Sequence, residues 1–93
     1  MSYQFEWNVD KAKKNLIKHG VSFEEAATVF DDVLSITFTD PDHSIDELRE
    51  ITIGFSLKNR LLLVFSTERN NKIRIFSARE ATKFERKKYE EAT

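Results

Sequence analysis

Ninety-three residues, 40% hydrophobic and 33% charged, suffice for one small core and leave no room for a second, so a single domain over residues 1–93 is expected. The absence of cysteine excludes a disulfide framework, a thiolate metal site and a cysteine nucleophile, and no window approaches the roughly 18 apolar residues of a membrane span. The net charge of −1 hides a polarised order: Gly20 to Leu57 holds one basic residue, Arg49, against nine acidic ones, whereas Lys58 to Tyr89 holds ten basic against three acidic.

Tyr3, Phe5 and Trp7 alternate with polar residues as in a short strand with one buried face, and Trp7 with Phe5 reads as core rather than as a stacking platform. Asn8 can cap a helix over Val9–His19 that Gly20 ends in a left-handed conformation. Val9, Ala12 and Leu16 form its inward stripe, opposite Lys11, Lys14 and Lys18. Ser22 with Glu25 makes a capping box for a second helix to about Asp31.

Four strand-like segments follow. Leu34 to Thr39 and Ile51 to Ser56 alternate, Leu61 to Phe65 is apolar on both faces as a central strand would be, and in Lys72 to Ser77 the residues Ile73, Ile75 and Ser77 oppose Lys72, Arg74 and Phe76. Short turns at Lys58-Asn59 and Arg69-Asn70-Asn71 make the last three strands a meander. Helical composition returns from about Glu80 to Tyr89. The expected fold is α+β, in the order β-α-α-β-β-β-β-α, with an antiparallel sheet and helices packed on one face.

No Gly-rich phosphate loop, His-Glu metal motif or Ser-His-Asp arrangement appears, so no cofactor and no metal site are expected. Asp40, Asp42 and His43 around Pro41 resemble metal ligands superficially, and a turn held by side-chain to backbone bonds explains them better. What remains is cationic. Arg69, Lys72, Arg74 and Arg79 bracket the last hairpin, and Lys83, Arg86, Lys87 and Lys88 continue it, a density that suits phosphodiesters but also suits a solvated exterior. Metal-free RNA cleavage needs a base for the 2′-hydroxyl, cations for the crowded phosphorane and an acid for the leaving 5′-oxygen. His19, at the carbonyl end of its helix, is a candidate acid or a simple partner of those carbonyls. Glu68 is a candidate base or an ion-pair partner of a neighbouring arginine, and Tyr89 can stack on a base, pass a proton or anchor the last helix.

Several strings taken together resemble the BrnT toxin family: Phe5-Glu6-Trp7, Lys14-Asn15, Lys18-His19-Gly20-Val21-Ser22-Phe23-Glu24-Glu25-Ala26 through Val29-Phe30-Asp31-Asp32, Asp40-Pro41-Asp42-His43-Ser44, and Glu50-Ile51-Thr52-Ile53-Gly54. Thr67-Glu68-Arg69, Ile73-Arg74-Ile75-Phe76-Ser77-Ala78-Arg79, Ala81-Thr82 and Glu85-Arg86 to Tyr89 extend the likeness over nearly the whole chain. Val33 departs from it, standing where many relatives have proline. A cytoplasmic protein is expected from the lack of cysteine and of a basic-then-apolar N-terminus, and the resemblance implies a RelE-like fold and an RNA-cleaving type II toxin, neutralised by a BrnA-type antitoxin with a ribbon-helix-helix segment. Operator DNA would be bound only through that complex. The catalytic candidates are then Arg74, Arg79, His19 and Glu68, with Lys14, Lys18, Arg69, Lys72, Lys83, Arg86 and Tyr89 as RNA-binding candidates. A non-catalytic nucleic-acid- or protein-binding module is the alternative, and a direct DNA-binding repressor is poorly supported because no helix-turn-helix pattern is visible.

Overall fold

The computed structural model describes residues 3–41 and 47–92. In chain order these form β1 (Phe5–Glu6), α1 (Val9–His19), α2 (Phe23–Thr28) with a 3-10 turn (Val29–Asp31), β2 (Ile36–Thr39), β3 (Arg49–Phe55), β4 (Leu61–Arg69), β5 (Lys72–Glu80) and α3 (Lys83–Ala92). The order is the expected one. Of the turn expected around Pro41, Asp42 and His43 lie outside the described residues.

The local signals act as read. The Asn8 side chain accepts from the Lys11 N–H at 3.0 Å, and Gly20, at φ 69°, donates its N–H to the Leu16 carbonyl at 2.9 Å. The Ser22 hydroxyl accepts from the Glu25 N–H at 3.0 Å, but the Glu25 carboxylate does not close a reciprocal box; it turns inward to Arg60 and Ser56. At the end of the chain a true capping box forms instead, Thr82 and Glu85 exchanging backbone-to-side-chain bonds of 2.8 and 3.1 Å. That box places the start of α3 at Lys83 rather than near Glu80, and β5 runs on through Arg79 and Glu80.

The five strands lie in the order β1-β5-β4-β3-β2. The last four pair antiparallel, while β1 joins the edge of β5 in parallel, so the sheet is mixed rather than wholly antiparallel. Helices also lie on both faces, not one. On the first face Val21, Phe23, Ala26 and Val29 pack against Leu62, Val64, Ile75 and Ala78, with Phe5 and Trp7 at the margin, as expected for core aromatics. On the second face Tyr89 of α3 packs with Ile53, Leu61 and Leu63. Central β4 has two apolar sides because each side receives a helix.

Two departures from simple periodicity matter for function. Of the expected stripe of Val9, Ala12 and Leu16, helix α1 packs only Ala12 against the core: Val9 is 63% and Leu16 51% exposed, and the residue that α1 buries fully is Asn15. Strand β5 does not alternate regularly, because its register against β4 shifts between Phe65 and Ser66, where Phe65 pairs with Ser77 but Ser66 with Ile75. This bulge leaves Phe76 as the extra residue, so Ile73 and Ile75 join the first face while Ser77 changes sides. Among the described residues no helix is long and apolar enough to cross a membrane.

Candidate active site

Residues five apart on a regular strand face opposite ways. The bulge at Phe76 cancels that, so Arg74, opposite Thr67, and Arg79, opposite Leu63, both lie on the second face of the sheet. In β3, Arg49 is paired with Thr67, which puts it in one row with Arg74 on that same face. Helix α3 covers the half of this face that holds Ile53, Phe55, Leu61 and Leu63. Beyond it lies a cleft of about 260 Å³, lined by His19, Asp40, Arg49, Phe65, Phe76, Ser77 and Arg79. A second hollow of about 270 Å³ shares His19, Phe76 and Ser77 and continues onto α1 along Lys11, Lys14, Asn15 and Lys18.

The floor is aromatic and the walls are cationic. Phe65 and Phe76 stand 6.4 Å apart at 51°, the Arg49 guanidinium lies 4.6 Å from the Phe76 centroid, and that of Arg79 lies 5.9 Å from Phe65. The Asp40 N–H donates to the Arg49 carbonyl at 2.8 Å, which sets Asp40 opposite Arg49 at the cleft. Arg79 is held by a fork: Nη1 and Nη2 donate to the two Glu85 oxygens at 2.7 and 2.8 Å, and Nη1 also donates to the Glu80 carbonyl at 3.2 Å. A guanidinium has five N–H groups in two usable edges. Among the described residues nothing accepts from the Nε edge of Arg79, which keeps one fork for a phosphate.

Glu85 is therefore both the capping residue of α3 and the orienter of Arg79. The Arg79 guanidinium, with the Thr82 N–H, holds its carboxyl down at about 2, and Glu85 in turn raises the arginine. Because the folded value lies below the usual 4.5, this contribution is fully present above that pH and is lost as pH falls towards 2. Glu85→Gln should lower the thermal midpoint above pH 4.5, and the deficit should vanish as pH approaches 2. Unfolding curves from pH 2 to 6 check this; a deficit independent of pH would contradict it.

The sequence matches a known family. Residues 7–85 fit the model of the ribonuclease toxin BrnT of type II toxin-antitoxin systems. The chain belongs to the BrnT toxin family. It is accordingly a type II toxin, and an antitoxin is its partner. In fold it is similar to the 1.1 Å crystal structure of the Brucella abortus ribonuclease toxin BrnT, with a TM-score of 0.66 and 20% identity over 88% of this chain and 100% of that one. No curated protein sequence matches the chain significantly.

Within this BrnT-family fold the sequence candidates separate. His19, Arg79, Lys14 and Lys18 come together at the joined hollows, and Arg74 shares their face, 3.7 Å from Glu6. Glu68 does not join them: paired with Ile73, it lines a different hollow on the first face with Tyr3, Glu50 and Ser66. Arg69 bonds Glu47 at 3.0 and 3.1 Å near the β4–β5 turn, where Lys72 is exposed beside it. Lys83 is exposed on α3, and Arg86 sits 5.8 Å from the Phe55 ring, on the helix-covered half. Tyr89 is buried and takes the anchoring role, its hydroxyl donating to Asp32 at 3.4 Å. Burial opposes ionisation of Asp32, yet the N–H groups of Phe55 and Leu34 and the Tyr89 hydroxyl hold its carboxyl below the usual range.

Arg49, Asp40 and the Phe65–Phe76 floor join the cleft without having been expected there from the sequence, where Arg49 stands out only as the single cation of an acidic stretch and Asp40 only as part of a turn.

Proposed function

We propose that this toxin is a metal-independent endoribonuclease that cuts cellular RNA in the cleft between α1 and the open half of the sheet. The observation that carries the reading is the convergence of His19, Arg49 and Arg79, from three separate elements, on one aromatic-floored hollow. Arg79, through its Nε edge, and Arg49 neutralise the phosphorane as the 2′-oxygen attacks phosphorus and the 5′-oxygen departs. His19 gives the departing oxygen its proton, and Asp40 is the carboxylate placed to receive the one lost by the 2′-hydroxyl. Lys14 and Lys18 extend the positive wall along α1 and hold flanking phosphates, with Arg74 doing so further along β5. Glu68, on the other face, takes no part.

In the same reading the 93 residues act as one domain in the cytoplasm, and the antitoxin is of the BrnA type, with a ribbon-helix-helix segment through which the complex represses its own operon. Purified toxin freed of antitoxin should cleave RNA in EDTA. Cleavage that EDTA abolishes would remove metal independence. Intact RNA across several substrates, with growth unaffected when the chain is expressed without antitoxin, would favour a non-catalytic binding module instead.

A further inference from the structure

Helix α1 docks on the sheet through an amide. Asn15 is 7% exposed, and Nδ2 donates to the Val21 carbonyl at 2.9 Å and to the Ala78 carbonyl at 2.8 Å. Its Oδ1 accepts from the Ala78 N–H at 3.1 Å and from the Ser77 hydroxyl at 3.4 Å. The side chain thus grips both main-chain groups of Ala78 much as a neighbouring strand would. It does so because β1 is too short to do it: β1 pairs only Ile73 and Arg74, leaving the edge of β5 beyond them to α1.

The grip falls at a consequential point. Ala78 stands between Ser77 and Arg79, just past the bulge that turns Arg79 towards the cleft. On α1, His19 follows Asn15 by four residues and so shares its side of the helix. The apolar residues that would otherwise lock α1 in place, Val9, Leu16 and Ile17, are exposed. Of its apolar residues only Ala12 packs against the core, so the register of His19 against Arg79 is set chiefly by this amide and the turn beyond it.

We infer that Asn15 is a positioning residue for RNA cleavage, holding His19 of α1 and Arg79 of β5 at their working separation through its clamp on Ala78. The inference rests on the proposed cleavage site, and it makes the α1–β5 clamp part of the catalytic geometry. A clip that served stability alone would leave turnover unaffected once the protein is folded, and would act equally whether or not His19 is present.

The test is a double-mutant cycle on the full chain, prepared as the complex and freed of antitoxin, with a fluorescent RNA in EDTA. Asn15→Ala should lower kcat by roughly a hundredfold, the scale on which misplaced reacting groups lose rate, while changing KM less than about threefold. In a His19→Ala background the same substitution should lower kcat by no more than about threefold, because the partner it positions is gone. Should Asn15→Ala fail to fold, Asn15→Asp, which keeps the shape and the acceptor but loses the two donated bonds, is read in the same cycle. Equal losses of kcat in both backgrounds, or full kcat in the folded single variant, overturn the inference. Wild-type rates for both His19→Ala and Arg79→Ala would instead bring down the cleavage site itself, and the positioning role with it.

Discussion

Arg79→Ala should lower the turnover of RNA cleavage by about 10²–10³, the usual cost of losing one preorganised group that meets developing charge. The reason lies in how this arginine is held. Its end-on fork is committed to Glu85, and Glu85 is itself fixed by the Thr82 cap, so the guanidinium is oriented before RNA arrives. Its Nε edge then meets phosphate without further ordering. Arg79→Lys keeps a charge but cannot hold a carboxylate by one fork and a phosphate by another, so it should rescue little. Single-turnover cleavage of a labelled RNA, with thermal unfolding as a control for folding, measures both. Turnover within about threefold of wild type in a folded Arg79→Ala variant would take Arg79 out of the site.

Arg60→Ala should be the most damaging single change to stability. Glu25, in the first turn of α2, is buried, and its ionised state is maintained by Arg60, assisted by the Ser56 hydroxyl at 2.7 Å. Arg60 donates to Glu25 through Nε at 2.9 Å and also through Nη2, and reaches the Gly20 carbonyl at 3.0 Å and Glu80 at 2.9 Å. One side chain therefore joins the end of α1, the start of α2 and the last strand. Removing it strands a buried carboxylate, for which about 2–4 kcal/mol is expected given that Arg60 is itself partly open to solvent. In a domain of this size that is a fall in thermal midpoint of the order of 10 °C or more. Glu25→Leu combined with Arg60→Met should recover most of the loss, since no charge is left behind. Thermal unfolding of the two variants decides it, and a loss under about 1 kcal/mol in Arg60→Ala would show that the pair is not sustaining the fold.

The legible parts of this chain were those governed by near neighbours. Asn8, Gly20 and Ser22 announce helix ends because caps are made within three or four residues, β2 and β3 announce themselves by alternation, and β4 by an apolar run. The parts that were not legible depend on pairing between distant segments. Nothing near Phe76 marks it as a bulge, yet that extra residue decides which face Ser77 and Arg79 occupy. The parallel seat of β1 and the opposite-face packing of α3 are likewise set by the whole sheet. His19 and Arg79 could be named from the sequence as candidates, but Glu68 stood level with them, because its face depends on the β4–β5 register. Arg49 was obscured for the converse reason: Thr67 and Phe76, which it meets across the sheet, are distant from it in sequence.

The location of the site can be read directly by titrating isotope-labelled toxin, freed of antitoxin, with an RNA whose 2′-hydroxyls are replaced by hydrogen at the cleavable steps, so that it binds without reacting. Amide shifts should be largest at His19, Arg49, Phe76, Ser77 and Arg79, with smaller changes along Lys14 and Lys18. Shifts concentrated instead on Tyr3, Thr52, Glu68 and Asn71, across the sheet, would contradict the account.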